Sequence, residues 1–206
     1  MNPAVSGIVL AGGRSRRLGV DKRTLTLRSV QTQLAKTLER LSAVADDIVV
    51  AGDPSESVAD HARVVRDVAV GAGPLAGIVA GLTAVRHDHA IVLACDLPFL
   101  NVELLRQLIA LPRNYALLVP GHSDGTLEML HAVYAKSTVT ILQWCLSNGQ
   151  RRLSDLPEVL KGKGLVVQIV DDGWLRLYDP SLRSFFNLNT PEDLRRAVED
   201  LRSEHV

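Results

Sequence analysis

Short apolar runs rich in β-branched residues alternate along the chain with segments whose apolar residues recur every three or four positions. The short runs are typical of buried strands, and the longer spacing indicates helices that pack one face against a core. Strands are predicted at 4–10, 47–51, 63–66, 90–94 and 116–119, and helices at 33–41 and 75–85. This alternation predicts a mostly parallel sheet with helices on both faces.

The last part of the chain continues the pattern less regularly. Residues 127–134 alternate imperfectly between apolar and polar, and 165–170 is predicted as a further buried strand. Thr190 precedes Pro191 and two acidic residues, which is the usual composition of a helix start. The predicted fold class is therefore α/β, with three layers (α/β/α) around a Rossmann-like sheet.

Length and composition narrow the classes of function. With 206 residues, the chain is expected to form a single domain, 1–206, and a polar turn at 149–152 is the one candidate boundary. The 23 basic and 23 acidic residues balance, so no net charge attracts a nucleic acid or an anionic membrane. Without a membrane-spanning run, a signal peptide or a C-x-x-C pair, the protein is expected to be cytoplasmic.

A glycine-rich, basic segment follows the first predicted strand. It runs L-A-G-G-R-S-R-R-L-G-V-D-K from Leu10 to Lys22 and includes Gly12, Gly13 and Arg17. Glycines let backbone N–H groups approach a phosphate closely, and the arginines and lysine supply positive charge there. Because the segment matches neither a Walker A loop nor G-x-G-x-x-G, it predicts a different kind of polyphosphate site. A basic, solvent-exposed turn is the alternative.

Two aspartates follow predicted strands: Asp67 after the third and Asp96 after the fourth. The carboxyl ends of parallel strands share one end of the sheet, so both are expected near the glycine-rich segment. A carboxylate beside a polyphosphate can hold Mg²⁺, whereas an isolated one more often caps a helix. A second glycine-rich stretch, 71–77, begins the helix between them and suits either a ligand or close helix packing.

Polar groups late in the chain form a second candidate set. Arg151 and Arg152 lie in the polar turn, and Asn187 and Asn189 precede the last helix. They would suit an anionic substrate rich in heteroatoms, although asparagines before a helix also serve as caps.

Little else in the sequence suggests catalysis. The chain has no G-x-S-x-G or H-E-x-x-H motif, and its six histidines show no metal-ligand spacing. Asp124 and Glu128, around Gly125, are candidate catalytic carboxylates, but a solvent-exposed turn is the simpler interpretation.

In their order along the chain, these segments resemble the molybdenum cofactor guanylyltransferases, which belong to the nucleotidyltransferases of the nucleotide-diphospho-sugar transferase type. Residues 10–22 resemble the signature L-A-G-G-x-S-x-R-M-G-x-D-K, and 73–77 matches G-P-L-A-G. Residues 95–98 resemble C-D-x-P, 124–134 a D-G-x-x-E stretch, and 186–194 an ending with N-x-N-T-P-E-[DE]-L. The resemblance covers nearly the whole chain.

The resemblance implies transfer of GMP from GTP to the terminal phosphate of molybdenum-loaded molybdopterin, with Mg²⁺ or Mn²⁺ as cofactor and pyrophosphate as the second product. Such a reaction needs no general base, because a phosphate monoester with a second pKa of about 6 is already largely dianionic at neutral pH. Catalysis is then positioning and charge neutralisation. The resemblance also implies a nucleotide-binding half, about 1–100, an acceptor-binding half, about 101–206, and transient contact with molybdoenzymes or cofactor-handling proteins.

The resemblance assigns roles to individual residues. Lys22 would stabilise charge on the transferred phosphoryl group, Asp96 would bind the metal, and Asp67 would contact the guanine or ribose. The implied catalytic residues are Lys22, Asp96 and Arg17. The implied nucleotide-binding residues are Leu10, Ala11, Gly12, Gly13, Lys22, Asp67 and Asp96. The implied acceptor-binding residues are Arg151, Arg152, Asn187 and Asn189.

The chain departs from the family pattern at three places. Leu18 replaces a methionine, Met129 stands where a proline usually follows Glu128, and the stretch 27–33 is shorter than the usual loop. The shorter loop affects its own geometry more than the nucleotide site.

Three other functions stay open. A sister enzyme uses CTP, but it more often has Ala-Ala-Gly at the positions of 11–13 and generally lacks the motif at 73–77. A sugar-phosphate or cobinamide-phosphate nucleotidyltransferase would leave the paired arginines and asparagines without a partner. A non-catalytic module that delivers a nucleotide or cofactor is the alternative of another class, and the combination of one lysine and two aspartates disfavours it.

Overall fold

Strands and helices alternate in a computed structural model of the chain, which describes residues 4–11, 31–52, 62–68 and 72–203. The strands are β1 (Ser6–Leu10), β2 (Asp47–Ala51), β3 (Ala62–Val65), β4 (His89–Ala94), β5 (Leu117–Pro120), β6 (His131–Ala135) and β7 (Val167–Val170). The α-helices are α1 (Gln33–Ser42), α2 (Pro74–Ala84), α3 (Val102–Ala110), α4 (Val139–Ser147), α5 (Leu156–Gly162), α6 (Asp172–Leu175) and α7 (Pro191–Ser203). The predicted elements are confirmed, with bounds that differ by one or two residues.

The described strands form one sheet in the order β3-β2-β1-β4-β6-β5-β7. β1 lies between β2 and β4 and is parallel to both, and β7 is parallel to β5. β6 is antiparallel to β4 and β5, so the sheet is mostly but not wholly parallel. Every strand except β6 therefore finishes at one end of the sheet, which we call the carboxyl end, and the strand order reverses beside β1 there. Open α/β sheets bind their ligands at such a point.

Helices cover both faces of the sheet, which confirms the predicted three layers. On β4, Ile91 and Leu93 pack into a core shared with α1 and α3, whereas Val92 packs into a core shared with α2, α4 and α5. This alternation follows from the two-residue period of a strand. Within the described ranges, no helix combines the length and apolar composition needed to cross a membrane.

β7 differs from its prediction as a buried strand. Among the described strands it pairs with β5 alone, and Ile169 is 51% exposed. An apolar sequence does not distinguish a central strand from one at the edge of the sheet, because that depends on which strands pair. The chain beyond the turn at 149–152 nevertheless adds this strand to the same sheet as β1.

Two glycines let helix α2 lie close against β1. A Cβ at Gly81 would stand 2.6 Å from Ile8 Cγ2, and one at Gly77 would stand 3.1 Å from Leu10 Cδ2. Gly73, which precedes the helix, has φ +80°, a conformation that side chains with a Cβ rarely adopt. Pro74 then begins α2. The stretch 71–77 was predicted to suit either a ligand or close helix packing. The part of it that lies in α2 allows close packing.

The buried carboxylate of Asp47 links several strands at the opposite end of the sheet. Asp47 accepts hydrogen bonds from Ser6 Oγ at 2.7 Å, Arg63 Nη2 at 2.6 Å and the Arg86 backbone N–H at 2.8 Å. Burial alone would raise the pKa of Asp47, but these hydrogen bonds outweigh it and hold the pKa below 3.8. The network joins β1, β2, β3 and the loop before β4.

Asp47→Asn is expected to lower the free energy of unfolding at pH 7 by about 2–3 kcal/mol, because buried donors lose a charged acceptor. The folded-state pKa is lowered, so this stabilisation is present above pH 3.8 and is lost as the pH falls through the folded value. Urea unfolding at several pH values measures the difference, which should shrink in acid. Asp46→Asn, at a neighbouring exposed carboxylate, is the control. Equal stability of the two variants at pH 7 would contradict the role of Asp47.

Candidate active site

The end of β1 is fixed by backbone hydrogen bonds that continue the sheet. The Ala11 N–H donates to Ala51 O at 2.8 Å, and the Gly52 N–H donates to Val65 O at 2.9 Å. Leu10 and Ala11 are both buried, so the chain enters the glycine-rich segment from a fixed position. The other residues predicted in this segment lie outside the described residues: Gly12, Gly13, Arg17 and Lys22.

Asp67 lies beside the end of β1 and the first turn of α2. A Cβ at Gly77 would stand 3.3 Å from Asp67 Oδ1 and 3.1 Å from Leu10 Cδ2, so these three residues meet. Asp67 Oδ1 is buried and finds no hydrogen-bond donor in the described part of the chain. Burial accordingly raises the pKa of Asp67. A desolvated acceptor without a donor is costly, which is typical of a group that a ligand satisfies.

Asp96 follows β4, the strand next to β1, and is buried. Its backbone oxygen accepts a hydrogen bond from the Leu188 N–H at 3.1 Å. Because β1 and β4 are parallel neighbours, Asp96 lies at the same end of the sheet as Leu10 and Asp67. Leu10, Asp67 and Asp96 therefore lie at one end of the sheet, and their convergence with the glycine-rich segment in one site stays a prediction.

Asp96 is a donor of the type that divalent metal ions accept. Carboxylate oxygens are hard donors, and Mg²⁺ is commonly held by one or two carboxylates, with phosphate oxygens and water as its other ligands. Over 4–11, 31–52, 62–68 and 72–203, no group of three or more His, Cys, Asp or Glu side chains is arranged to hold a metal. A single buried carboxylate at the end of β4 is sufficient for an ion of this kind.

The paired arginines lie in the turn after α4. Arg151 and Arg152 are both exposed, and neither forms an ion pair with another described residue. α4 leads away from the end where β6 finishes, and α5 leads back towards the start of β7. The turn between the two helices therefore lies on the carboxyl side of the sheet.

The two asparagines precede α7, whose start matches its prediction. The Asp193 N–H donates to Thr190 Oγ1 at 3.1 Å, and Asp193 Oδ2 accepts from the Thr190 N–H at 2.8 Å. This reciprocal pair is a capping box. Asn187 is half-buried and donates to Phe185 O at 2.9 Å, while Asn189 is exposed. Through Leu188, which lies between them, both asparagines are held beside the end of β4.

One cluster at the carboxyl end was not predicted as a unit. His122 Nδ1 lies 2.7 Å from Asp172 Oδ1, and His122 Nε2 lies 3.3 Å from Glu128 Oε1. Asp124 is exposed, as expected, but the interpretation of Glu128 as part of a solvent-exposed turn is wrong. The Glu128 side chain is only 21% exposed, and burial raises its pKa. Fifty residues separate His122 from Asp172, so no local spacing signals this contact.

Buried aromatic rings adjoin this cluster. The Phe185 ring lies 5.1 Å from the His122 ring and 4.7 Å from the His131 ring, measured between centroids. His131 is buried, and neither ring nitrogen has a hydrogen-bond partner in the ranges that the structure describes. Burial lowers the pKa of His131 to about 3, so its imidazole is neutral at pH 7.

Comparison with known proteins agrees with this geometry. Residues 7–161 match the family model of the MobA-like NTP transferase domain. A molybdenum cofactor guanylyltransferase of Desulfosudis oleivorans is 30% identical over 205 residues, which are 98% of each chain. A protein of Chloroflexus aggregans named "Probable molybdenum cofactor guanylyltransferase" is 36% identical over 93% of this chain and 92% of its own.

A solved structure supports the same relationship. Molybdopterin-guanine dinucleotide biosynthesis protein A of Archaeoglobus fulgidus matches 97% of this chain and 100% of its own, with a TM-score of 0.80 and 30% identity. The family match covers well over half of the chain, and the match to this solved structure covers 97% of it. The chain therefore belongs to the MobA-like NTP transferase family and is a nucleotidyltransferase with a Rossmann-like fold.

Proposed function

We propose that the chain transfers GMP from GTP to the terminal phosphate of molybdenum-loaded molybdopterin, forming molybdopterin guanine dinucleotide and pyrophosphate. The observation that carries this proposal is the buried Oδ1 of Asp67, which has no donor among the described residues. Guanine presents a ring N–H and an amino group side by side, and a carboxylate accepts from both. Cytosine offers no such adjacent pair, so this carboxylate favours GTP over CTP.

The neighbours of Asp67 suit a flat base. Leu10 supplies an apolar side chain, and Gly77 leaves the space that a Cβ would fill, 3.3 Å from the carboxylate. The backbone at Leu10 and Ala11 is held in place by the sheet, so its polar groups are preorganised for the nucleoside. The phosphates would then extend along the glycine-rich segment towards Gly12, Gly13, Arg17 and Lys22, as the family resemblance implies.

The reaction is an in-line displacement at the α-phosphorus of GTP. A terminal phosphate oxygen of the acceptor attacks, the new P–O bond forms, and the bond to the β-phosphate oxygen breaks to release pyrophosphate. No proton has to be removed, because the attacking phosphate is already ionised. Lys22 and Arg17 would neutralise the charge that develops on the α-phosphoryl group and the leaving group.

Asp96 is the residue that would hold the magnesium ion. When bound, the ion neutralises phosphate charge and fixes the phosphate geometry. Asp96 follows β4, which pairs with β1, and its backbone oxygen accepts a hydrogen bond from the Leu188 N–H in the segment 187–189. The two substrates would therefore meet at the end of β4.

Acceptor binding is assigned to the polar groups on the other side of Asp96. Arg151 and Arg152 are exposed cations and would bind the acceptor phosphate. Asn187 and Asn189 would bind heteroatoms of the pterin or its substituents. Relatives that are named molybdenum cofactor guanylyltransferase support this choice of acceptor.

A thermal-shift series with Mg²⁺ and equal concentrations of GTP, CTP, ATP and UTP tests nucleotide choice. GTP is expected to raise the melting temperature most, because a ligand at about 100 times its Kd stabilises the folded state by about 2.7 kcal/mol. For a chain of this size, where 1 kcal/mol shifts the melting temperature by about 2–4 °C, that corresponds to about 5–11 °C. A larger shift with CTP would instead support the cytidylyl-transferring alternative.

Lys22→Ala and Asp96→Asn are each expected to reduce guanylyl transfer by a factor of about 100 or more, since each removes charge stabilisation at the reacting phosphate. Pyrophosphate release in the presence of GTP and molybdenum-loaded molybdopterin measures the effect. Unchanged circular dichroism spectra would show that the variants fold. Turnover near the wild-type rate in either folded variant would contradict its assigned role.

A further inference from the structure

Three chain segments converge at the carboxyl end to form the cluster of His122, Glu128 and Asp172. β5 and β7 finish at this end and β6 begins there, so the residues that follow β5, precede β6 and follow β7 become neighbours. Asp172 also accepts a hydrogen bond from the Ser123 N–H at 3.1 Å, in addition to its contact with His122. The proposed reaction uses none of these residues.

His122 holds Glu128 in a defined orientation. Its two ring nitrogens contact Asp172 Oδ1 and Glu128 Oε1. Glu128 Oε2 makes no hydrogen bond or ion pair with any residue in the described ranges, and the side chain is still 21% exposed. Each carboxylate oxygen can accept two hydrogen bonds, so both oxygens of Glu128 retain capacity for a ligand.

His122 provides a partly exposed ring beside Glu128, since its side chain is 17% exposed. The ring of Phe185, which is buried, lies 5.1 Å from the His122 ring and 4.7 Å from the His131 ring, and the neutral, buried His131 adds no charge. Asn187 is two residues further along the chain and is held beside Asp96 through Leu188. A planar heterocycle that contacted the His122 ring would therefore lie on the acceptor side of the proposed metal ligand.

The charge of the cluster of His122, Glu128 and Asp172 determines which part of the acceptor molecule can bind there. Two carboxylates and one imidazole repel a phosphate, but they accept hydrogen bonds from N–H groups. A pterin presents a ring N–H and an amino group side by side on its pyrimidine ring, the same donor pair that guanine presents. The exposed Arg151 and Arg152 are the opposite kind of site and suit the phosphate end of the same molecule.

We propose that Glu128 binds the paired N–H donors of the acceptor's pterin ring, while His122 and Asp172 act as positioning residues that orient its carboxylate. This inference rests on the proposed function and names the residue that recognises the acceptor ring. Glu128 is then the counterpart of Asp67, since each is a partly buried carboxylate at the carboxyl end of the sheet facing the same donor pair on a different heterocycle.

Binding of a free pterin to the full chain tests this without turnover. Quenching of pterin fluorescence is measured for 6-hydroxymethylpterin and for its 2-oxo analogue, in which a carbonyl replaces the amino group. The wild-type chain is expected to bind the pterin about tenfold tighter than the analogue, because the analogue loses one donor. Glu128→Gln should bind the pterin about tenfold more weakly and lose the discrimination, since its amide offers an N–H in place of one acceptor oxygen.

Asp124→Asn is the matched control, because it removes an exposed carboxylate from the same turn; it should leave pterin binding unchanged. GTP affinity should be unchanged in Glu128→Gln, which verifies that the variant is folded. Asp172→Asn should raise the KM for molybdopterin about threefold and leave the KM for GTP unchanged, as a positioning residue would. A general loss of stability would instead change both values.

Several results would overturn the inference: no pterin binding by the wild-type chain, equal binding of pterin and analogue, or full pterin affinity in Glu128→Gln. Equal binding of pterin and analogue by the wild-type chain overturns the inference even if a variant does not fold. Pterin binding through Glu128 without any guanylyl transfer would refute the proposed function alone. Guanylyl transfer with an unchanged KM for molybdopterin in Glu128→Gln would refute this inference alone.

Discussion

The close approach of helix α2 to strand β1 determines where the candidate site can form. Glycine at 77 and 81 lets the helix backbone lie where a Cβ would come within 3.1 Å of Leu10 and 2.6 Å of Ile8. The same approach brings the start of the helix to Asp67, whose Oδ1 is buried. A larger residue at either position would separate the helix from the strand, and the desolvated acceptor at the end of β1 would be lost.

Negative and positive side chains lie in different parts of this candidate site. Carboxylates that are partly buried, Asp67 and Glu128, face the places proposed for the two heterocycles, and burial raises the pKa of both. Exposed arginines at 151 and 152 are proposed to bind phosphate, and Asp96 follows β4, which lies between β3 and β6 in the sheet. A substrate pair with donor-rich rings and anionic phosphates matches this division. The aspartate that fastens the other end of the sheet, Asp47, has its pKa lowered instead, because its donors are already in place.

Hydrophobic periodicity was sufficient to predict most strands, the helices and the mostly parallel sheet, because that signal is local. The antiparallel direction of β6 and the exposure of Ile169 depend on which strands pair, and one sequence does not contain that information. The sequence was sufficient to place Asp67 and Asp96 at one end of the sheet, because the ends of the strands before them are recognisable. The contacts of Glu128 were missed, since His122 and Asp172 meet only after β5, β6 and β7 assemble. The predicted roles of Lys22 and Arg17 stay predictions.

The choice of nucleotide is proposed to depend on hydrogen bonds from the paired donors of guanine to the Asp67 carboxylate. Comparing the affinities of GTP and inosine triphosphate, which lacks the amino group, by titration calorimetry with Mg²⁺ tests it most directly. The wild-type chain is expected to bind GTP about tenfold tighter than inosine triphosphate, and Asp67→Asn is expected to bind both nucleotides with similar, weaker affinity. Equal affinity of the wild-type chain for the two nucleotides, or an undiminished preference in Asp67→Asn, would contradict the account.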